Sequence, residues 1–336
     1  METIISGVYE VGIGARDAEP LLEYFERFGY RVGQTGELSA QHAKSLYNVD
    51  STLKSIRLLH QDADHGLIRI MVWDQPINEG LQMSEMNVLG NRWGAVLTGD
   101  IYNLLNHAEE AVAQNQQIFV VPPQRAEIFK LETRPMPFLE NYATVREMCL
   151  IRPLTRQILF QRFGYSLPSY GKIDEDSFFK SSQITHFGMV VYDEPENLDF
   201  YDQVLGLLRV RDGQNYDGNY DEPSSRAIFS LEKNQKYRAV DFDDPRSSAD
   251  AQKSVSGRLK VILFARDSNL LDKFDDARPG SLGYSLYTLR VKGIENYLRK
   301  IKASRARDVT EIQLNEFGEK SFSFVAPDNY FWTIFE

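Results

Sequence analysis

From Ile184 to Leu208 the chain changes period once. Up to Val191 apolar and small or polar side chains alternate, as on a strand with one face turned to a core. Phe187, Met189 and Val191 share the face that would pack on the following helix, while His186, Gly188 and Val190 share the other. Pro195 within an acidic stretch (Asp193 to Glu196) is good chemistry for a helix start. Leu198, Tyr201, Val204 and Leu205 then recur at helical spacing, and Gly206 closes the helix. The same pattern is written at residues 8–30: a strand carrying Glu10, Gly12 and Gly14 on one face and Val11, Ile13 and Ala15 on the other. Asp17 to Pro20 follows, then a helix on Leu21, Leu22, Phe25 and Phe28, then Gly29. Counted back from the acidic turn, Glu10 stands where His186 stands, so the chain repeats itself internally.

The remaining periodicity divides into four β-α-β-β-β units. The first covers residues 7–75 and the second 91–163. The third covers 184–266, with strands predicted at 227–231 and 259–265, and the fourth covers 283–336. A segment without periodicity near 164–182 reads as a linker, which predicts an N-terminal domain over 1–165 and a C-terminal one over 183–336. A sheet covered by helices on one face leaves the other curled and free, so the expected class is α+β, with two units joined side by side into each of two half-barrel cups. Ligands would enter the hollow side.

Composition narrows the function. The 336 residues carry a formal charge of −10 with scattered cations, which disfavours nucleic acid and anionic membranes as partners. No stretch reaches a membrane-spanning length, residues 1–7 do not resemble a signal peptide, and a cytoplasmic location is expected. One cysteine, Cys149, excludes an intrachain disulfide framework and a cysteine-rich zinc site.

The run THFGMVVYD followed by LDFYDQVLGL resembles the opening of a vicinal-oxygen-chelate module, the superfamily of glyoxalase I, extradiol dioxygenases and bleomycin-resistance proteins. The likeness implies a divalent metal held by a His or Glu on a module's first strand and a Glu on its partner's last strand. His186 meets the first requirement. Pairing the third unit with the fourth sets Tyr284 or Ser285 at the matching place and Thr333 at the last-strand position, so only one member of the set is present. In the N-terminal cup Glu10 faces Arg92 or Trp93 and reads as an ion pair. No cofactor is therefore predicted; a metal, if bound, would be iron, manganese, zinc or nickel at His186.

The candidate catalytic groups are His186, as acid or base beside space opened by Gly188, and Glu10 beside Gly12 and Gly14. Tyr284, Ser285, Tyr287, Thr333 and Lys260 are candidate substrate contacts, the rings favouring a small hydrophobic or aromatic ligand. Arg69 and Lys260 could meet a carboxylate or enolate, but a solvated strand face is the better explanation of each. His60 and His65 read as hairpin solvation, and the acidic turn from Asp212 to Glu222 lacks the calcium-loop pattern. The sequence thus points to a lyase or isomerase working by proton transfer in the C-terminal cup. The alternatives are a non-catalytic protein sequestering an aromatic ligand, or a metal-dependent dioxygenase or glyoxalase with unusual ligands. A homodimer is compatible with all three.

Overall fold

The computed structural model describes residues 4–131, 142–212, 223–232, 235–247 and 253–336. The first unit comprises β1 (Ile4–Ala15), α1 (Glu19–Glu26), β2 (Tyr30–Leu38), a further helix α2 (Ala40–Tyr47), β3 (Leu53–His60) and β4 (Leu67–Trp73). The second has β5 (Arg92–Thr98), α3 (Ile101–Ala113), β6 (Phe119–Lys130), β7 (Tyr142–Ile151) and β8 (Arg156–Phe163). In the third are β9 (Ser181–Tyr192), α4 (Pro195–Asp199) running into a π-turn, β10 (Leu208–Asp212), α5 (Pro223–Ile228), β11 (Tyr237–Asp243) and β12 (Arg258–Phe264). The fourth has β13 (Gly283–Lys292), α6 (Ile294–Lys302), β14 (Gln313–Leu314), β15 (Lys320–Val325) and β16 (Phe331–Phe335). No helix among the described residues is long and apolar enough to cross a membrane.

The strands form two curled eight-stranded sheets, ordered β14-β15-β16-β13-β1-β4-β3-β2 and β10-β11-β12-β9-β5-β8-β7-β6. This corrects the pairing drawn from sequence order. The first unit joins the fourth and the second joins the third, through antiparallel first strands that set Glu10 opposite Thr288 and Ala95 opposite His186. The physical reason lies in the seam. Gly188 is opposite Trp93, and a Cβ on it would fall 1.9 Å from the indole, so the bulky ring requires a glycine there. In the other seam Gly12 is opposite Leu286, and a Cβ on it would fall 2.8 Å from the Leu286 side chain.

The strand faces fall as the alternation predicts. Val11, Ile13, Phe187, Met189 and Val191 join α1, α3, α4 and α6 in one core that is shared by both sheets. The sheets are also stitched by tyrosines. The Tyr287 hydroxyl donates to the Gly188 carbonyl at 2.6 Å, and the Tyr330 hydroxyl donates to that of Val190 at 2.8 Å. Tyr284 is buried in the same core. These rings therefore wall no hollow; they join the layers. Asp328, in the turn before β16, accepts from the Tyr201 hydroxyl at 2.6 Å, and burial pushes its carboxyl up to about 6.

The strand expected at 227–231 is replaced by α5 and the turn after it, and the third strand of that unit is β11 instead. An apolar run of this length does not distinguish helix from strand. Residues 132–141, and all but the first residue of the acidic turn expected from Asp212 to Glu222, lie outside the described residues.

Replacing Gly188 with Ala should displace the Trp93 indole and cost about 1–3 kcal/mol or more in chemical denaturation. Gly99→Ala should fall within about 0.5 kcal/mol of wild type, because its added Cβ meets nothing nearer than 3.7 Å.

Candidate functional site

The hollow of the first and fourth units is closed from within. Ala43, Leu46 and Tyr47 of α2 pack into it against Leu38, Leu53, Met71, Trp73, Leu286 and Phe331. The hairpin tip between β14 and β15 fills the rest, its backbone so close to Gly36 that a Cβ there would fall 1.7 Å from the Glu316 carbonyl oxygen. Glu10 lies fully buried at the centre. It accepts from Arg57 Nε at 2.7 Å and from Arg69 Nε at 2.8 Å. Glu316 accepts from the Tyr47 hydroxyl at 2.8 Å, Ser55 Oγ at 2.7 Å and Arg69 Nη1 at 3.1 Å. Glu319 closes the network on Arg57 Nη1 and Nη2, at 2.8 and 2.9 Å. Burial raises the Glu10 carboxyl, but the two guanidinium charges outweigh it and hold the group below its ordinary range.

Glu10 thus has an ion-pair role, as expected, but its partners are Arg57 and Arg69. Arg92 instead donates to the Ala277 and Phe331 carbonyls at 2.6 and 3.2 Å. Arg69, for which a solvated strand face was the favoured reading, is instead buried completely, because Glu10 and Glu316 pair with it inside the hollow. Beside Glu10 stand no further acidic or imidazole groups from the seam strands. The register neighbour is Thr288, which pairs in turn with Thr333. Thr333 bonds Ser323 at 3.1 Å, and Ser285 donates to the Gly12 carbonyl at 3.3 Å.

The hollow of the second and third units differs. His186 keeps partial exposure on its concave face, together with Arg162 and Lys260. The register sets Ala95 on one side of His186 and Arg258 on the other, with Lys260 next along β12 and opposite Asp241 on β11. Tyr170, from the segment joining β8 to β9, lies over the imidazole with ring centroids 6.0 Å apart and planes 22° apart. Phe160 also approaches the imidazole, its ring tilted at 43° and 5.8 Å away between centroids. Arg162 donates to the Tyr170 carbonyl at 2.7 Å, fastening that segment across the strand ends. Arg258 pairs with Asp243 and, at 3.3 Å, with Asp241. A cavity of about 410 Å³ adjoins this end, bounded by Leu97, Arg162, Tyr165 and Gly171 among others.

Burial, and then the charges of Lys260, Arg258 and Arg162, hold the His186 imidazole well below its ordinary 6.5. The neutral ring bonds Thr185 Oγ1 through Nδ1 at 3.0 Å. The space that Gly188 was expected to leave beside His186 does not exist, since Trp93 occupies it and Phe229 packs edge-on against the indole at 5.3 Å. Of the predicted contacts, Lys260 and Gly188 share the sheet of His186, whereas Tyr284, Ser285, Tyr287 and Thr333 belong to β13 and β16 of the other.

Arg162, Arg258, Asp241 and Tyr170 were not singled out from sequence. Arg258 and Asp241 had a signal, because charged residues alternate with apolar ones along β11 and β12 as they do on a strand with a polar inner face, whereas Arg162 lies at the end of β8, outside that alternation. Tyr170 had none, lying in a stretch without periodicity.

The donor set around His186 does not suit a divalent metal. Its neighbours across the adjoining strands are Ala95, Arg258 and Lys260, with Ile158 beyond Ala95, two cations and two hydrocarbon side chains. Among the described residues no three His, Cys, Asp or Glu side chains gather in a ligating group.

Solved structures with the same architecture exist at low sequence identity. Glyoxalase I from Zea mays superposes with a TM-score of 0.53 at 11% identity, covering 100% of this chain and 92% of its own. A putative dioxygenase from Bacillus subtilis gives 0.57, also at 11% identity, covering 99% and 85%. The chain has the vicinal-oxygen-chelate fold. No sequence model of a protein family matches it, and a search of the curated proteins finds no match. The likeness is one of fold, and within that fold the expected metal-ligand positions carry a different chemistry here.

Two measurements test the electrostatics. Glu10→Gln leaves Arg57 and Arg69 short of a buried counter-charge and should cost about 3–5 kcal/mol in chemical denaturation. For His186 the folded-state pKa lies below the unfolded value, so the unfolded chain takes up the proton first. Stability from this group is full above about pH 6.5 and declines as pH falls below it. The wild-type minus His186→Gln difference in unfolding free energy should shrink over that range.

Proposed function

We propose that the hollow of the second and third units binds a small anionic molecule with an apolar body, and that His186 exchanges a proton with it in a lyase- or isomerase-type reaction. The observation that carries this reading is a neutral, partly exposed imidazole bordered by Arg162, Arg258 and Lys260. A carboxylate or carbonyl oxygen suits the cations, which stabilise negative charge as it develops on that oxygen. The neutral ring has a free electron pair to take a proton from the adjacent carbon, and the imidazolium can return it to another position. Bringing an anion among the cations offsets the charges that depress the imidazole. The base therefore strengthens when ligand arrives. Leu97 in the wall of the adjoining cavity, and the Phe160 and Tyr170 rings against His186, are the apolar neighbours for the rest of the molecule.

The test is a panel of aryl and alkyl carboxylates, with binding followed by calorimetry and carbon-bound hydrogen exchange followed by proton NMR in deuterium oxide. Arg162→Met or Lys260→Met should weaken binding by about 10-fold or more. His186→Ala should slow exchange by about 10²-fold or more. In the wild-type protein the His186 titration, read by NMR, should move upward on binding. Binding without exchange would favour the sequestering role over catalysis, and failure of every anion to bind would end the proposal.

A further inference from the structure

Two buried polar atoms near Arg258, the register neighbour of His186, have no partner among the described residues: the Tyr170 hydroxyl and Asp241 Oδ1. Tyr170 is 5% exposed and Asp241 1%. Both flank Arg258, whose guanidinium carbon stands 5.1 Å from the Tyr170 ring centroid and whose Nη1 reaches Asp241 Oδ2 at 3.3 Å. Asp241 is in register with Lys260, so this pair borders the same cations that the anionic ligand would meet. Buried polar groups are generally satisfied, and two unmet ones on residues that both approach one guanidinium ask what completes them. An ionised carboxylate oxygen only accepts, whereas a phenol both donates and accepts. A hydroxyl group has the chemistry that both atoms call for, donating to a carboxylate and accepting from a phenol.

We propose that Tyr170 and Asp241 form a hydroxyl subsite within this hollow, so that the preferred ligand is a small hydroxy acid with an apolar body. This rests on the reading of the hollow as an anion site and adds the second group that the ligand must carry. Stacked over His186 and tied down through Arg162, Tyr170 is held in place to read that group. The segment that joins the two halves of the chain thereby becomes part of the binding surface.

The probes are phenyllactate and hydrocinnamate, which differ by one hydroxyl, titrated by calorimetry into the full chain. The wild-type protein should bind phenyllactate about 10-fold or more tightly, because a site built around a hydroxyl rejects the analogue that lacks it. The two phenyllactate enantiomers should differ by a similar factor, since only one directs its hydroxyl to the subsite. Tyr170→Phe keeps the ring and removes the phenol oxygen, and should bring the ratio of the two acids close to one. Equal affinities for both acids in wild type would overturn the subsite and assign the two orphan atoms to ordered water, as would a ratio that survives in Tyr170→Phe. Binding of neither acid would instead overturn the anionic reading on which the subsite stands.

Discussion

At the middle of each sheet, two first strands from different units lie antiparallel, and a glycine on one accommodates a large side chain on the other. In one seam Gly188 makes room for Trp93, and in the other Gly12 makes room for Leu286. A glycine replaced there would force backbone and ring apart, because packed interiors have no slack at that distance. This complementarity joins the second unit to the third and the first to the fourth. Every other placement follows from it, including which side chains look into which hollow and which tyrosines end up between the layers.

The two hollows built this way have opposite fates. In one, the chain supplies its own contents: two buried arginines are met by Glu10 from the strand floor and by Glu316 and Glu319 from a hairpin tip, with α2 filling the remainder. Arginine serves this role well, since its forked guanidinium can bond two carboxylates at once while staying charged. Charges paired so completely leave nothing for a ligand to satisfy. In the other hollow the cations surround a neutral imidazole, and the acids answering them sit to one side, on β11. There the polar inventory is incomplete, and incompleteness in a partly open concavity is what binding sites are made from.

The same fold position therefore carries different physics in its two copies. Glu10 and His186 occupy equivalent places on repeated strands, yet the first is held ionised by flanking arginines and the second is held neutral by burial and three nearby cations. Burial opposes the charged form in both, and the nearest neighbours decide the outcome.

Much of the architecture was legible in the residues alone. Alternation from His186 to Val191 and from Glu10 to Ala15 assigned the strand faces correctly, and the repeated acidic turn with its proline revealed the duplicated units. The likeness of the 184–208 stretch to a vicinal-oxygen-chelate module matched the fold that was found. Periodicity could do this because strand and helix repeats are local properties of the chain. Which units share a sheet was not local. It depended on side-chain volumes meeting across a seam nearly 100 residues apart in one case and over 270 in the other. Only tertiary structure could turn Tyr287 from a pocket wall into a bridge between layers, give Glu10 the arginines of β3 and β4, and lay Tyr170 over His186, because contacts between distant segments leave no period in the sequence.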